Sequence, residues 1–235
     1  VTGILACDPV SKSVFYEAAE DSPLQRGIYK VDLVKGTKTK LSAKAGYNTA
    51  IFSSNGKYYI NNWSNTNTPN LITLNDASGK ELRVLEDNKA LQNKVASAGI
   101  PKKEFITVQG ADGSNLNAWI MKPLNFNPSQ QYPLLMVQYS GPDSQEVLDR
   151  FNIDWVHYLV NQGYIVASVD GRGTGARGQE FRKCTYMNLG IKESDDQIAA
   201  AKYFATLSYI NPSDISIWGW SYGGYNVLMS LSRSL

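Results

Sequence analysis

Residues that usually anchor metal or redox chemistry are nearly missing from this 235-residue sequence, which has one histidine, His157, and two cysteines, Cys7 and Cys184. The cysteines fall in regions that read as different domains, which excludes a disulfide framework, and with a single histidine no four-ligand zinc site can be assembled. Both thiols are expected to be free and buried, and neither a metal nor a cofactor is expected. No apolar run reaches 18 residues, so no membrane-spanning segment is present, and Val1-Thr2-Gly3 opens without a charged-then-apolar leader. An excess of one charge is lacking too. Lys and Arg number 23 against 21 Asp and Glu, with no basic run, so nothing marks a nucleic-acid partner or an acidic membrane surface.

What the sequence does have is a nucleophile motif near its end, Gly219-Trp220-Ser221-Tyr222-Gly223-Gly224. Asp214 to Trp218, after Asn211-Pro212, reads as a buried strand of a parallel sheet, and Tyr225 to Leu235 has helical spacing without a breaker. Strand, G-x-S-x-G turn and helix make a nucleophile elbow, in which small residues let the chain double back and hold a serine hydroxyl clear of the sheet. Ser221 is the candidate nucleophile. A bare G-x-S-x-G is common by chance, and the flanking strand and helix are what give it weight.

Residues 1–88 read as short antiparallel strands: Ser13 to Ala18, Gly27 to Leu33, Thr37 to Ser42, Asn48 to Ser53, Lys57 to Asn61, Asn70 to Leu74 and Glu81 to Leu85. Ser54-Asn55-Gly56 and Asp76-Ala77-Ser78-Gly79 supply turns. Seven strands in this length approximate two four-stranded blades of a β-propeller, which cannot close a ring alone. Asn88 to Ala98 then has helical spacing, which places a domain junction near residue 88. In residues 89–235, Lys103 to Gln109 and Asn115 to Met121 form a hairpin. After it, strands Tyr132 to Tyr139 and Tyr164 to Val169 alternate with helices Ile153 to Gln162 and Lys192 to Leu207. The fold class is α/β, an α/β-hydrolase with a doubly wound, mainly parallel sheet, incomplete at its C-terminal end.

A serine nucleophile needs a base, and in the α/β-hydrolase order the acid and then the histidine follow the serine. Residues 222–235 hold no Asp, Glu or His. His157 precedes the serine on a helix and reads as a packed or surface residue. The isolated chain is therefore expected to be inactive, its catalytic remainder lying elsewhere. The Tyr222 amide, following the nucleophile, should donate to an oxyanion. The hydroxyl of Tyr139, at the end of an apolar strand, is a candidate second donor, although a tyrosine there more often packs in a core or an interface. Gly173-Thr174-Gly175-Ala176-Arg177-Gly178 matches a dinucleotide fingerprint. Asp170-Gly171-Arg172 separate it from its strand and Gln179 to Leu189 opens no clean helix, so it reads as a glycine-rich turn in which Asp170 and Arg172 tie loops together.

Four stretches, Tyr139-Ser140-Gly141-Pro142, Asp170-Gly171-Arg172-Gly173, Asp196-Gln197-Ile198 and Ile217 to Tyr225, together resemble the prolyl oligopeptidase family in its dipeptidyl peptidase IV branch. The resemblance covers residues 85–235 closely and residues 1–84 more loosely, as the last propeller blades. It implies a serine exopeptidase that removes dipeptides with Pro or Ala in the penultimate position from peptides with a free N-terminus. Ser221 would be the nucleophile, Tyr139 and the Tyr222 amide the oxyanion donors, Trp220 a wall on the leaving-group side, and Tyr222 also a wall of the proline pocket. The triad Asp and His would follow Leu235, and the glutamates that grip the substrate amine would lie in earlier propeller sequence. An extracytoplasmic location is expected by the same resemblance, which also admits a homodimer. The competing readings are a prolyl tripeptidyl peptidase, an esterase on this fold and a catalytically silent binding module.

Overall fold

In the computed structural model, which describes residues 1–234, the chain divides into two compact units. The first comprises Val1–Ala98 with Leu148–Asn152, the second Gly99–Val147 with the residues from Ile153 on.

The first unit holds β1 (Gly3–Asp8), β2 (Ser13–Ala18), β3 (Gly27–Asp32), β4 (Lys38–Lys40), β5 (Tyr47–Phe52), β6 (Tyr58–Asn65), β7 (Thr68–Asp76), β8 (Glu81–Glu86) and the helix α1 (Lys89–Ser97). They form two antiparallel four-stranded sheets in chain order, β1 to β4 and β5 to β8. The expected seven strands are thus eight among the described residues, the addition being β1, a short half-exposed run whose pairing with β2 supplies what its own pattern lacks. Phe15 and Ile28 of one sheet share a buried cluster with Ala50 and Tyr59 of the other. The Asp76–Gly79 turn closes as its sequence predicts, the Asp76 carboxylate accepting from the amides of Ser78 and Lys80 while Gly79 takes φ +92°. Asp149, in the inserted segment, accepts from the Thr66 amide at 2.9 Å and the Gln25 side chain at 3.1 Å. Cys7 corrects the expectation of a buried thiol, because it lies exposed on β1.

The second unit contains β9 (Lys103–Gln109), β10 (Asn115–Met121), β11 (Tyr132–Val137), α2 (Trp155–Asn161), β12 (Ile165–Asp170), α3 (Gln179–Lys183), α4 (Ile191–Ala205), β13 (Ile210–Trp218) and α5 (Tyr222–Arg233). Its sheet runs β13-β11-β12-β10-β9. β12 is buried along its whole length, as continuous apolar character requires of an interior strand. Two corrections concern this sheet. It is mixed rather than mainly parallel among the described residues: β11 pairs in parallel with β12 and β13, whereas β10 pairs antiparallel with β9 and β12. β13, expected to be buried and to start after Asn211-Pro212, starts at Ile210 and has exposed residues along its length. A register shift opposite Tyr132 to Leu134 lets the proline in without loss of the strand.

A third correction concerns the glycine-rich turn. A short helix, α3, does open after Gly178, because that glycine takes φ +88° and turns the chain into it. The turn itself is held by backbone bonds to the Asp143–Ser144 segment, the Asp143 amide donating to the Gly173 carbonyl and the Gly175 amide to the Ser144 carbonyl. The Cβ of any residue at 175 would stand 2.9 Å from the Asp143 carbonyl oxygen, and Arg182 pairs with the Asp143 carboxylate at 3.0 Å. The Asp143 backbone thus fills the space beside Gly175 into which a pyrophosphate would have to fit.

Candidate active site

The turn from β13 into α5 is built by steric necessity. Ser221 takes φ 55° and ψ −118°, a conformation that L-residues avoid and that costs about 1–3 kcal/mol where the fold enforces it. A Cβ at Gly219 would collide with the Gly223 carbonyl group, and one at Gly223 would stand 2.6 Å from the Gln138 carbonyl oxygen. Both glycines are therefore required by close approach of the elbow to the end of β11. The result is an exposed Ser221 at the C-terminal edge of the parallel strands, at the head of α5.

Tyr139, two residues beyond the end of β11, is brought to the same place: its ring centroid lies 6.2 Å from that of Tyr222. Tyr222 is fixed in turn. Its hydroxyl donates to Glu193 Oε1 at 2.8 Å, while Glu193 Oε2 accepts from the Gly190 amide at 2.9 Å, and its ring meets Tyr225 edge-on at 5.4 Å. Burial, reinforced by the Glu193 hydrogen bond, pushes the Tyr222 phenol well above its ordinary range, so it stays a neutral donor. Trp220 stands 75% exposed beside the nucleophile. The structure thus gathers Ser221, Tyr222 and Tyr139 at one sheet end, with Trp220 on the open side.

His157 does not join them. It is buried on α2 as the third residue of a capping box, its Nδ1 accepting from the Asp154 amide at 3.2 Å while the Asp154 carboxylate accepts from Val156. Glu193, Gln138 and Asn226 were not singled out by the sequence. Gln138 carries a signal in retrospect, a polar residue closing the apolar run of β11, whereas Glu193 looks like any acidic residue in a helical first turn.

Loops around the site are held by two buried carboxylates. Asp196 accepts from the Ala111 and Arg172 amides and from the Arg172 guanidinium through Nε and Nη2. Asp170 accepts from the amides of Glu146 and Val147, both at 3.0 Å, and burial outweighs these bonds to push its carboxyl up to about 7. Because the folded form holds its proton longer than the unfolded chain, whose ordinary value is 3.8, this group's contribution to stability falls as pH rises from about 4 to about 7. A difference of about three pKa units corresponds to about 4 kcal/mol across that interval. Urea unfolding between pH 4 and 8 should therefore show a decline in wild type that is absent from Asp170→Asn, and parallel curves would refute the assignment.

Among the described residues no cluster of His, Cys, Asp or Glu could hold a metal, and no helix is long and apolar enough to cross a membrane.

Residues 151–234 match the prolyl oligopeptidase family and residues 1–70 the dipeptidyl peptidase IV N-terminal region. The chain is 39% identical over 232 residues to a protein named probable dipeptidyl-aminopeptidase B from Pyrenophora teres f. teres, covering 96% of this chain and 25% of that one. It is 36% identical over 231 residues to a protein of the same name from Metarhizium robertsii, again covering 96% and 25%. The crystal structure of dipeptidyl peptidase 4 from Porphyromonas gingivalis superposes with a TM-score of 0.96 at 54% identity, covering 100% of this chain and 33% of that one. The chain thus spans about a quarter of the curated relatives and a third of the solved structure. These matches imply a hydrolase domain with a propeller.

Proposed function

Because the chain belongs to the prolyl oligopeptidase family, in its dipeptidyl peptidase IV branch, we propose that it is part of a serine exopeptidase that releases N-terminal dipeptides with Pro or Ala in the penultimate position. The observation that carries the reading is the strained, exposed Ser221 with Tyr139 beside the residue that follows it. Residues 1–88 would supply the last propeller blades and residues 89–235 the first part of the hydrolase domain, its sheet continued by later strands. Peptides with a free N-terminus would be the substrates, the compartment extracytoplasmic and the assembly a homodimer.

In the mechanism, Ser221 Oγ attacks the carbonyl carbon of the penultimate residue and its proton passes to a base. Since His157 is committed to its helix cap, that base would be a histidine outside residues 1–235, oriented by an Asp, with the amine-gripping glutamates also outside. The tetrahedral oxyanion accepts hydrogen bonds from the Tyr222 amide and the Tyr139 hydroxyl. Collapse expels the leaving amine past Trp220 as the base returns the proton to its nitrogen. Water, giving a proton to the same base, then hydrolyses the acyl-enzyme, the proton going back to Ser221 Oγ. The Tyr222 ring, held by Glu193, would form one wall for the proline.

The test is turnover of glycyl-prolyl and alanyl-prolyl anilides by the complete protein. Hydrolysis of a p-nitrophenyl ester with no anilide turnover would replace this reading by an esterase. Tyr139→Phe, which removes one oxyanion donor and leaves the ring, is expected to lower kcat by about 100- to 1,000-fold with KM little changed. An unchanged kcat would remove Tyr139 from the oxyanion site.

A further inference from the structure

Between β11 and Tyr139 lies Gln138, 4% exposed, in the notch that Gly219 and Gly223 leave open. Its backbone amide continues the ladder to the Trp218 carbonyl at 3.1 Å. Its side chain crosses to the nucleophile helix: Nε2 donates to the Gly223 carbonyl at 2.8 Å, and Oε1 accepts from Asn226 Nδ2 at 3.1 Å. Asn226 is fully buried, and its Oδ1 has no hydrogen-bond partner among the described residues.

Two buried amides are an expensive way to fill space. A polar group removed from water costs free energy unless paired, and here one acceptor stays unpaired, whereas Met and Leu would fill similar volume at no such cost. What amides add is direction. Gln138 precedes one candidate oxyanion donor, and Gly223 and Asn226 lie two and five residues after the nucleophile. The elbow already touches this strand end, since a Cβ at Gly223 would stand 3.2 Å from Tyr139 Cα, so apposition is set by packing while lateral placement is left to the hydrogen bonds. We infer that Gln138 and Asn226 are a positioning pair that fixes Tyr139 relative to Ser221 and the Tyr222 amide, and so sets transition-state geometry rather than substrate affinity. The inference rests on the peptidase reading for its substrate but not for its geometry.

The pair acts through Tyr139 and the elbow, without touching substrate, so its loss changes kcat and leaves KM. Misplacing a reacting group by about 1 Å can cost about 100-fold. Gln138→Met, Asn226→Leu and the double variant, made in the complete protein, are each expected to lower kcat for an alanyl-prolyl anilide by about 10- to 100-fold with KM within about threefold. The double variant should fall well short of the product of the singles, because each single already breaks the shared bond. The rate at which a fluorophosphonate labels Ser221 should drop in parallel, since that reaction also places an oxyanion between Tyr139 and Tyr222. Should Gln138→Met fail to fold, Asn226→Leu, which keeps the Gln138 bond to Gly223, gives the same reading.

The outcomes separate the two claims. Wild type that labels with fluorophosphonate but does not cleave the anilide ends the peptidase reading, while slowed labelling in the variants still upholds the pair. Variants that label and turn over at wild-type rates, with only their melting temperature changed, reduce the pair to packing and overturn the inference. Wild type that neither labels nor cleaves overturns both.

Discussion

Ser221→Ala is expected to lower kcat of the complete enzyme on an alanyl-prolyl anilide by about 10⁶-fold, with substrate binding retained. The size follows from what the hydroxyl does: its oxygen is the atom that forms the covalent bond, and without it only direct attack by water, aided by the oxyanion donors, is left. The variant should fold as wild type does, because alanine and serine suffer the same penalty at φ 55°. Glycine does not. Ser221→Gly should be as inactive and yet more stable, by about 1–3 kcal/mol, since the strain of the elbow is relieved. Thermal unfolding of the three proteins checks this, and equal stability of the glycine and serine forms would show that the elbow stores no strain. A more stable Ser221→Gly would identify a position where the fold sacrifices stability to hold a reactive group in place.

This elbow is also where the sequence was most legible. Gly219 and Gly223 are demanded by local geometry, a tight turn pressed on a neighbouring strand, and local geometry leaves its mark in adjacent residues. The same holds for the Asp76–Gly79 turn. What was harder to see depends on residues far apart in the chain. β1 is a strand because β2 lies beside it, and β13 runs through Pro212 because a shifted register on β11 tolerates it. Glu193 belongs to the site only because α4 packs against α5 and puts its carboxylate under Tyr222, and no spacing within α4 encodes that. The mixed character of the five-stranded sheet likewise arises from β12 joining an antiparallel hairpin on one side and parallel strands on the other, an order that composition does not express. Gln138 and Asn226 are 88 residues apart, so their polarity reads as two separate exceptions until the fold unites them.

The second large effect is expected at Asp196, where one guanidinium serves two carboxylates of very different burial. Arg172 reaches Asp196, whose side chain is fully buried, at 2.8 Å and Asp112, whose side chain is 45% exposed, at 3.1 Å. By distance the two pairs are nearly alike. They differ in what is left behind when the carboxylate goes. Asp196→Ala leaves the Arg172 guanidinium only the exposed Asp112 and removes the acceptor of the Ala111 and Arg172 amides, which should cost about 3–5 kcal/mol. Asp112→Ala leaves the guanidinium its better partner and returns an exposed site to solvent, for about 0–1 kcal/mol. Urea denaturation of both variants measures the difference. Comparable losses would mean that burial does not distinguish the two pairs, whereas the expected disparity would mean that the burial of Asp196 and its bonds to backbone set the cost. Because its oxygens join the Gly110–Gly113 turn to the start of the glycine-rich loop, an intermediate denaturant concentration should loosen both loops together in Asp196→Ala. Hydrogen exchange at the amides of Ala111 and Arg172 would report that directly, rising in Asp196→Ala and staying near wild type in Asp112→Ala.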